Sequence, residues 1–165
     1  MATIQRFEDL LCWQKSRALT REVYKALSAC RDRGFTDQIQ RASVSVMSNI
    51  AEGFESGTKQ EFLNYLYIAK GSAGEVRAQL YAAHDIGYID VQGFKSLKNQ
   101  AEECSRLLST FIKGLKQSNF TGLQHKRERP EDPLEKIFKE SGLVRLENGR
   151  VVTPEEAERI KKEKI

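Results

Sequence analysis

Two long apolar stripes in the middle of the sequence constrain the fold more than any other feature. In the first stripe, apolar residues recur at alternating steps of four and three: Phe62, Leu66, Ala69, Ala73, Val76, Leu80 and Ala83. The second stripe has steps of three and four: Phe94, Leu97, Ala101, Cys104, Leu108, Phe111 and Leu115. Such steps place every member on one face of an α-helix, the seam geometry of bundles and coiled coils. The sequence therefore predicts two long helices that must pack against partners.

Start and stop signals give the bounds of these two helices. Thr58 is followed three residues later by Glu61, which is a capping box, so we expect the first helix to begin there. Gly87 is expected to end it, because glycine readily takes the left-handed conformation that closes many helices. Asp90 can cap the second helix, which is predicted to continue to Gln117.

Two further helices are predicted upstream, over residues 7–29 and 38–54. The first has apolar residues at roughly helical spacing: Leu10, Trp13, Tyr24 and Leu27. The second has a similar set: Ile39, Ala42, Val46, Ile50 and Phe54. Gly34 is expected to break the chain between them. Four helices with short connections predict an all-α fold, an antiparallel up-and-down four-helix bundle over residues 1–117.

The sequence changes character after residue 117. Residues 118–133 are polar and contain two prolines, so they are predicted to be a linker. Residues 134–165 are predicted to form a small appendage of a short helix at 134–141, a β-hairpin and a terminal helix. This appendage is too short for a core of its own, so we expect it to dock on the bundle or on a partner. Its local signals are Asn148-Gly149 for the hairpin turn and Thr153-Pro154 for the last helix.

Composition narrows the class of protein. With 39% hydrophobic and 30% charged residues, the chain suits a helix-rich globular protein rather than a disordered one. No apolar run approaches the roughly 20 residues that cross a bilayer, and the first residues lack the pattern of a secretion signal. A cytoplasmic location without a membrane partner is therefore expected. Three widely spaced cysteines indicate reduced thiols rather than a disulfide framework: Cys12, Cys30 and Cys104.

Patterns for catalysis or metal binding are missing from the sequence. A ferritin-like di-metal bundle needs glutamate three residues before histidine, but Tyr81 precedes His84 and Gly122 precedes His125. Cys104 lies on an apolar stripe, where a small buried thiol is the ordinary explanation. We therefore expect no metal, no cofactor and no enzymatic activity.

Polar and small residues inside the predicted helices have two interpretations. Glu52 and Glu75 could perform acid–base chemistry if they faced each other across the bundle. The favoured alternative is that Asn49 and Glu52, or Ser72 and Glu75, satisfy buried polar groups and fix helix register. Gly71 and Gly74 each cost a helix about 1 kcal/mol, so we expect them to allow a neighbouring helix to approach closely. The residues predicted at helix-packing or subunit contacts are Asn49, Glu52, Gly53, Gly71, Ser72 and Glu75.

Basic residues are the remaining candidates for function. The net charge of +4 permits a phosphate-rich partner but is too small to announce one. Phosphate contacts are predicted for a set on the first two helices: Lys15, Arg17, Arg21, Lys25, Arg33 and Arg41. The alternative is that these basic residues form a solvated face without a ligand. In an oligomer the basic patch would be repeated, which would favour phosphate binding. Four tyrosines could stack on bases, although helical tyrosines more often pack: Tyr65, Tyr67, Tyr81 and Tyr88.

Four segments, in order, carry a resemblance to one known family. The first three are Phe7-x-x-Leu10-x-x-Trp13, Gln38-Ile39-x-Arg41-Ala42-Ser43-x-Ser45-Val46 and Ser48-Asn49-Ile50-Ala51-Glu52-Gly53. The fourth runs from Phe62-Leu63 through Ala69-x-Gly71-Ser72-x-x-Glu75 to Gly87-Tyr88. Over residues 5–117 the chain resembles the four-helix bundle proteins encoded in intervening sequences of bacterial large-subunit ribosomal RNA genes. That family is similar to the accessory variability determinant proteins of diversity-generating retroelements.

This resemblance implies an up-and-down four-helix bundle that assembles as a homo-pentameric barrel. The retroelement relatives further imply a basic surface that binds nucleic acid and a reverse transcriptase. The chain departs from the family pattern at Met47, where proline is common, and after Gly53, where a basic residue is common. The leading hypothesis is a non-enzymatic homo-oligomer that binds RNA or DNA through phosphates. The alternative is a protein-interaction adaptor, in which the bundle is an oligomerisation platform and residues 134–165 recruit the partner.

Overall fold

Four long helices, each packed against its neighbours in sequence, make up the first part of the chain. The computed structural model describes residues 4–122, 141–145 and 151–162. A short 3-10 helix, Phe7–Asp9, precedes the four helices: α1 Leu11–Ala26, α2 Arg33–Glu55, α3 Lys59–Ile86 and α4 Val91–Gln117. Helix α1 also packs against α4, which closes the ring of four. The predicted all-α, up-and-down bundle is confirmed. None of the described helices is long and apolar enough to cross a membrane.

Helices α3 and α4 begin and end where the sequence predicts. Capping side chains fix both starts, and the backbone conformation of Gly87 fixes the end of α3. The Thr58 hydroxyl accepts a hydrogen bond from the Glu61 backbone N–H (3.2 Å) and donates one to the Glu61 carboxylate (2.7 Å). Gly87 has a φ of 86°, and its N–H donates to the carbonyl of His84. The Asp90 carboxylate accepts from the Gly93 N–H at 2.7 Å. These side chains and turns satisfy backbone groups that a helix end otherwise leaves without partners.

Helix α2 begins five residues earlier than the sequence predicts. The Asp32 carboxylate caps it by accepting a hydrogen bond from the Phe35 N–H at 3.0 Å. Gly34 therefore lies inside the first turn of α2 and does not break the chain, so that prediction is wrong. A glycine in a first turn is tolerated because an N-cap side chain holds the turn together.

The predicted stripes form most of the core. Every member of the α3 stripe is buried, from Phe62 to Ala83, whereas two members of the α4 stripe, Phe94 and Phe111, are only partly buried. In α1 the buried positions include Leu19 and Val23, with Leu27 directly after the helix. Tyr24, predicted as part of the apolar face, is exposed instead. Leu19, Val23 and Leu27 are four residues apart and form the buried face, and residue 24 points away from that face.

The packed part of the chain continues past α4 to Gly122. The Lys59 ammonium donates to the carbonyls of Lys116 (3.2 Å) and Ser118 (2.6 Å), and the Lys59 backbone N–H donates to the carbonyl of Thr121 (3.1 Å). A Cβ at Gly122 would overlap the backbone of the α2–α3 turn, so only glycine fits there. The first residues of the predicted linker therefore pack on the bundle, and residues 123–133 lie outside the described part.

The chain divides into two compact units, Met1–His125 and Lys126–Ile165. In the second unit, β1 (Val144–Arg145) pairs antiparallel with β2 (Val151–Val152), in the register Val144 opposite Val152. Helix α5, Pro154–Lys162, follows, and the Thr153 hydroxyl accepts from the Glu156 N–H at 3.4 Å. The predicted strand pairing and the predicted start of the last helix are confirmed. The hairpin turn at Asn148-Gly149 and, apart from its last residue, the predicted helix at 134–141 lie outside the described residues.

Candidate nucleic-acid interface

Positive charge is concentrated in one continuous stretch of the chain. Residues 11–42 comprise α1, the turn after it and the first part of α2, and are called the α1–α2 hairpin below. They carry seven basic and three acidic side chains, and this net charge of +4 equals that of the whole chain. The rest of the sequence is therefore balanced. An electrostatic attraction for phosphates should act mainly at this hairpin.

Two adjoining grooves run along the α1–α2 hairpin. Both are lined by Tyr24 of α1 and Asp37 of α2, so these two residues mark the place where the grooves meet. The larger groove, about 820 Å³, also contains Arg41 and, from α3, Glu75, and the smaller, about 470 Å³, contains Arg33. Volumes in this range accommodate small organic groups. The hairpin thus presents a concave surface with an arginine on each side of an exposed tyrosine.

Four of the six predicted basic residues lie on or beside these grooves. Arg33 and Arg41 line them, while Arg21 and Lys25 lie three residues before and one residue after Tyr24 on α1. The other two are held elsewhere. The Lys15 ammonium lies 3.0 Å from the Glu103 carboxylate of α4, and the Arg17 guanidinium lies 5.7 Å from the centre of the Trp13 ring.

Acidic side chains accompany several of the basic ones. Glu22 lies 3.0 Å from Arg21 and 3.2 Å from Lys25, and Asp37 lies 3.8 Å from Arg41. Hydrogen bonds from Arg21 and then Lys25 lower the pKa of the Glu22 carboxyl. Among the residues that the structure describes, Arg33 has no acidic partner. The basic side chains remain open to solvent, with exposed fractions of 67% for Arg21, 64% for Lys25 and 80% for Arg41.

The four tyrosines predicted as base-stacking candidates are half-buried or have their rings or hydroxyls engaged. Tyr65 is half-buried beside Gly53. The Lys116 ammonium lies 5.2 Å from the Tyr67 ring, and the Tyr81 ring packs edge-on against Phe94 at 4.9 Å. The fourth, Tyr88, donates a hydrogen bond to Asp32 at 2.8 Å. The exposed tyrosine in a groove is Tyr24, which sequence reasoning assigned to the core.

The residues predicted at packing contacts fall into a buried and an open group, both on α2 and α3. Gly53 is buried, and a Cβ there would lie 2.7 Å from Tyr65 Cβ. Ser72 shares a 2.9 Å hydrogen bond with Ser45, which also accepts from the Asn49 amide at 2.9 Å. These polar groups tie α2 to α3 at this level, but neither Glu52 nor Glu75 takes part, since both are exposed. The open group has side chains or backbone facing solvent: Glu52, Gly71 and Glu75.

The acid–base pairing of Glu52 and Glu75 is wrong. Gly53 packs at Tyr65, so the antiparallel register places Glu52 about ten residues, or roughly 15 Å along the helix axis, from Glu75. The expected close helix approach at Gly71 and Gly74 is also not found within the described part of the chain, because nothing lies within 4 Å of a Cβ built at either position. Contact with a second copy at these glycines stays a prediction.

Comparison with known proteins gives the chain a family. The family of 23S rRNA-intervening sequence proteins matches residues 8–110. The chain belongs to this family. A crystal structure of a protein with unknown function, from the S23 ribosomal protein family of Bacteroides thetaiotaomicron VPI-5482, is similar to it, with a TM-score of 0.59 and 27% identity. That similarity covers 62% of this chain and 99% of the other. No match is found among curated proteins.

Two of the three cysteines of this intervening-sequence protein are buried, and the third, Cys30, is half-buried. Cys12 and Cys104 are buried, and burial raises the pKa of the Cys12 thiol to about 11 and also raises that of Cys104. The His84 ring stacks on Phe94 with 4.9 Å between ring centres. In the described residues no group of three or more histidine, cysteine or acidic side chains is placed to hold a metal ion.

Proposed function

We propose that this chain is a non-enzymatic accessory protein that binds RNA or DNA through phosphate contacts from the α1–α2 hairpin. The observation that carries the proposal is that this hairpin holds a net charge equal to that of the whole chain, on largely exposed side chains. The proposed phosphate ligands are the basic residues beside the grooves: Arg21, Lys25, Arg33 and Arg41. Lys15 and Arg17 are expected to contribute less, because one pairs with α4 and the other lies over Trp13.

The ion pairs on the hairpin do not prevent such binding. Exposed ion pairs contribute at most about 1 kcal/mol, so a phosphate can replace the carboxylate partner at little cost. Arg41 and Asp37 are both mostly exposed and 3.8 Å apart, which makes this pair easy to exchange. Each phosphate neutralised releases condensed counterions, so the proposed binding weakens as salt rises.

We further propose that the protein acts as a homo-pentamer, as the family resemblance implies, with a reverse transcriptase as its protein partner, as the retroelement relatives imply. The face of α3 that carries Ile68 and Gly71 supports self-association. Both residues are exposed, and neither lines the two grooves of the α1–α2 hairpin. A ring of copies would present the hairpin several times. Several linked sites bind one ligand more tightly than a single site does, although each site makes the same contacts.

The proposal is tested by measuring the light-scattering mass of the protein, alone and with a mixed RNA pool, at low and high salt. We expect an oligomer that captures RNA at low salt and releases it at high salt. Replacing Arg21, Arg33 and Arg41 by glutamine should reduce the salt slope by about three, one for each lost phosphate contact. The matched control replaces exposed basic residues on α3 and α4: Arg77, Lys95 and Arg106.

The control removes the same charge outside the hairpin, so it should keep nearly all of the binding. Equal losses in the two triple variants would refute an interface at the hairpin. Absence of any salt-sensitive binding to RNA or DNA by the oligomer would refute the function as a whole.

An adaptor function is the second candidate, and the division of the chain into two compact units favours it. In that function the bundle self-associates and residues 134–165 recruit a partner protein. Removal of residues 134–165 should then abolish partner capture while the helical bundle keeps its mass and thermal stability. The nucleic-acid function predicts instead that RNA capture survives this truncation, because the hairpin is intact.

A further inference from the structure

We infer that Tyr24 stacks on one unpaired nucleobase, which makes the paired grooves a site for single-stranded nucleic acid. The inference rests on the proposed function, since the phosphates must first be drawn to the α1–α2 hairpin. It adds the class of ligand and a residue that recognises it. Stacking on an aromatic ring is how many proteins hold single strands without reading their sequence.

The ring of Tyr24 differs from the other exposed tyrosine rings. Tyr24, Tyr67 and Tyr81 have similar exposed fractions of 45%, 47% and 46%. A lysine ammonium lies over each of the other two rings, at 5.2 Å for Tyr67 and 5.9 Å for Tyr81. Within the described residues, Tyr24 has neither a ring contact nor a cation over its ring. Its aromatic face is therefore free to bind.

The grooves place charge on both sides of this ring. Arg41 lines the larger groove and Arg33 the smaller, and Tyr24 is common to both. With a base stacked on the Tyr24 ring, one flanking phosphate would lie in each groove. Arg41 would bind the phosphate in the larger groove, and Arg33 would bind the one in the smaller. Two acidic residues also line the grooves: Asp37, which is exposed and lies 3.8 Å from Arg41, lines both, and Glu75 of α3 lines the larger one. The placement of one arginine in each groove beside a shared aromatic ring therefore suits a chain of alternating bases and phosphates.

A duplex cannot use this arrangement. In a double helix each base face is covered by its neighbours, and a side chain reaches only phosphates, sugars and base edges. An unpaired base exposes its face and can be held by an aromatic ring. Duplex RNA or DNA should thus use the arginines alone, while a single strand uses the arginines and Tyr24.

Fluorescence anisotropy of the full-length protein with labelled oligonucleotides tests the inference. The probes are single-stranded RNA and DNA of about 16 nucleotides, the upper end of single-strand site sizes, and the duplex of the same sequence. Tyr24→Ala should weaken single-strand binding roughly 5- to 150-fold, the range that corresponds to loss of one base–aromatic stack. Duplex affinity and the salt slope should stay unchanged, because no phosphate contact is lost.

Three further variants separate stacking from other effects. Tyr24→Phe keeps the ring and should bind like the wild type, whereas Tyr24→Leu keeps an apolar side chain without the ring and should bind like Tyr24→Ala. Tyr67→Ala is the matched control, because Tyr67 is equally exposed but has Lys116 over its ring. It should leave single-strand binding intact. Thermal unfolding of each variant shows whether the fold is retained.

Each contrary outcome has a distinct meaning. Wild-type affinity in Tyr24→Ala or in Tyr24→Leu would overturn the stacking inference and leave phosphate binding at the hairpin standing. Equal losses for single strand and duplex would overturn it as well. Dispersal of an oligomer by Tyr24→Ala before any nucleic acid is added would make Tyr24 a subunit contact instead. Failure of the wild type to bind any probe in a salt-sensitive manner would refute the proposed function itself.

Discussion

Replacing Gly53 by alanine tests how closely α2 and α3 approach each other. Gly53 lies in the last turn of α2, and a methyl group there would lie 2.7 Å from Tyr65 Cβ and 2.9 Å from Phe62 Cδ2. It would also lie 3.3 Å from the Phe62 carbonyl oxygen. The ring of Phe62 can rotate, but Tyr65 Cβ is fixed to the α3 backbone. The two helices must therefore move apart to admit the methyl group.

Two opposing effects determine the change in stability. Alanine is a better helix former than glycine by about 1 kcal/mol. Overpacking a closely packed contact costs typically about 1–3 kcal/mol, and the rigid neighbour at Tyr65 places this site toward the upper end. The shift would also disturb the neighbouring edge-to-face contact of Phe54 with Phe62, whose ring centres are 5.9 Å apart. We expect Gly53→Ala to lower the free energy of unfolding by about 1–2 kcal/mol.

Urea unfolding followed by circular dichroism, repeated at several protein concentrations, measures this change separately from any oligomerisation. Gly114→Ala in α4 is the matched control, because nothing lies within 4 Å of a Cβ built there. Only the gain in helix propensity applies to Gly114, so that variant should be more stable than the wild type by up to about 1 kcal/mol. Equal stabilisation by both substitutions would refute the close contact at Gly53.

The remaining predictions concern hydrogen bonds, titration and thiols. Tyr88→Phe should lower the free energy of unfolding, measured by urea titration, because it removes the hydrogen bond to Asp32. Hydrogen bonds from the Phe35 N–H and, second, from the Tyr88 hydroxyl hold the pKa of Asp32 below its ordinary value. The Asp32 carboxylate therefore stabilises the fold above its unfolded pKa of about 3.9, and this stabilisation is lost as pH falls through its folded pKa. Tyr88→Phe should therefore lose less stability than the wild type on acidification. An equal loss of stability at acidic pH in both proteins would argue against the hydrogen bond from Tyr88 to Asp32. At about pH 8, near the ordinary thiol pKa, a thiol reagent should label the half-buried Cys30 first and leave Cys12 and Cys104 unlabelled until denaturant is added, whereas equal rates for all three would contradict their burial.

Much of the bundle can be predicted from the sequence, because α3 and α4 each carry an uninterrupted apolar stripe with a clear cap at the start. Helix α2 is harder, since Gly34 suggests a break and only the geometry of the Asp32 cap shows that the helix already includes it. Tyr24 is misplaced for a related reason. Its spacing from Leu27 is helical, but Leu19 and Val23 define the buried line more strictly.

The candidate site is predictable only in part. Pairs one helical turn apart, such as Asp37 with Arg41, follow from spacing alone. The contact of Lys15 with Glu103 depends on which helices are neighbours, and local spacing contains no such information. Position around the helix axis, which the sequence does give, distinguishes Gly53 from Gly71. Gly53 follows Ile50 on the apolar face of α2, whereas Gly71 lies between the buried positions of α3.

Lys59 joins the beginning of one helix to the end of another, and this has a consequence for solvent exchange. The first backbone amides of a helix normally exchange their hydrogens rapidly, because they have no partner inside the helix. The amide of Lys59 is an exception, since it donates to the carbonyl of Thr121, while the Lys59 ammonium binds one carbonyl in the last turn of α4 and one directly after it. Fraying at the end of α4 would therefore release the start of α3 as well. The two ends should open as a single unit, and the exchange rate of one amide reports on both.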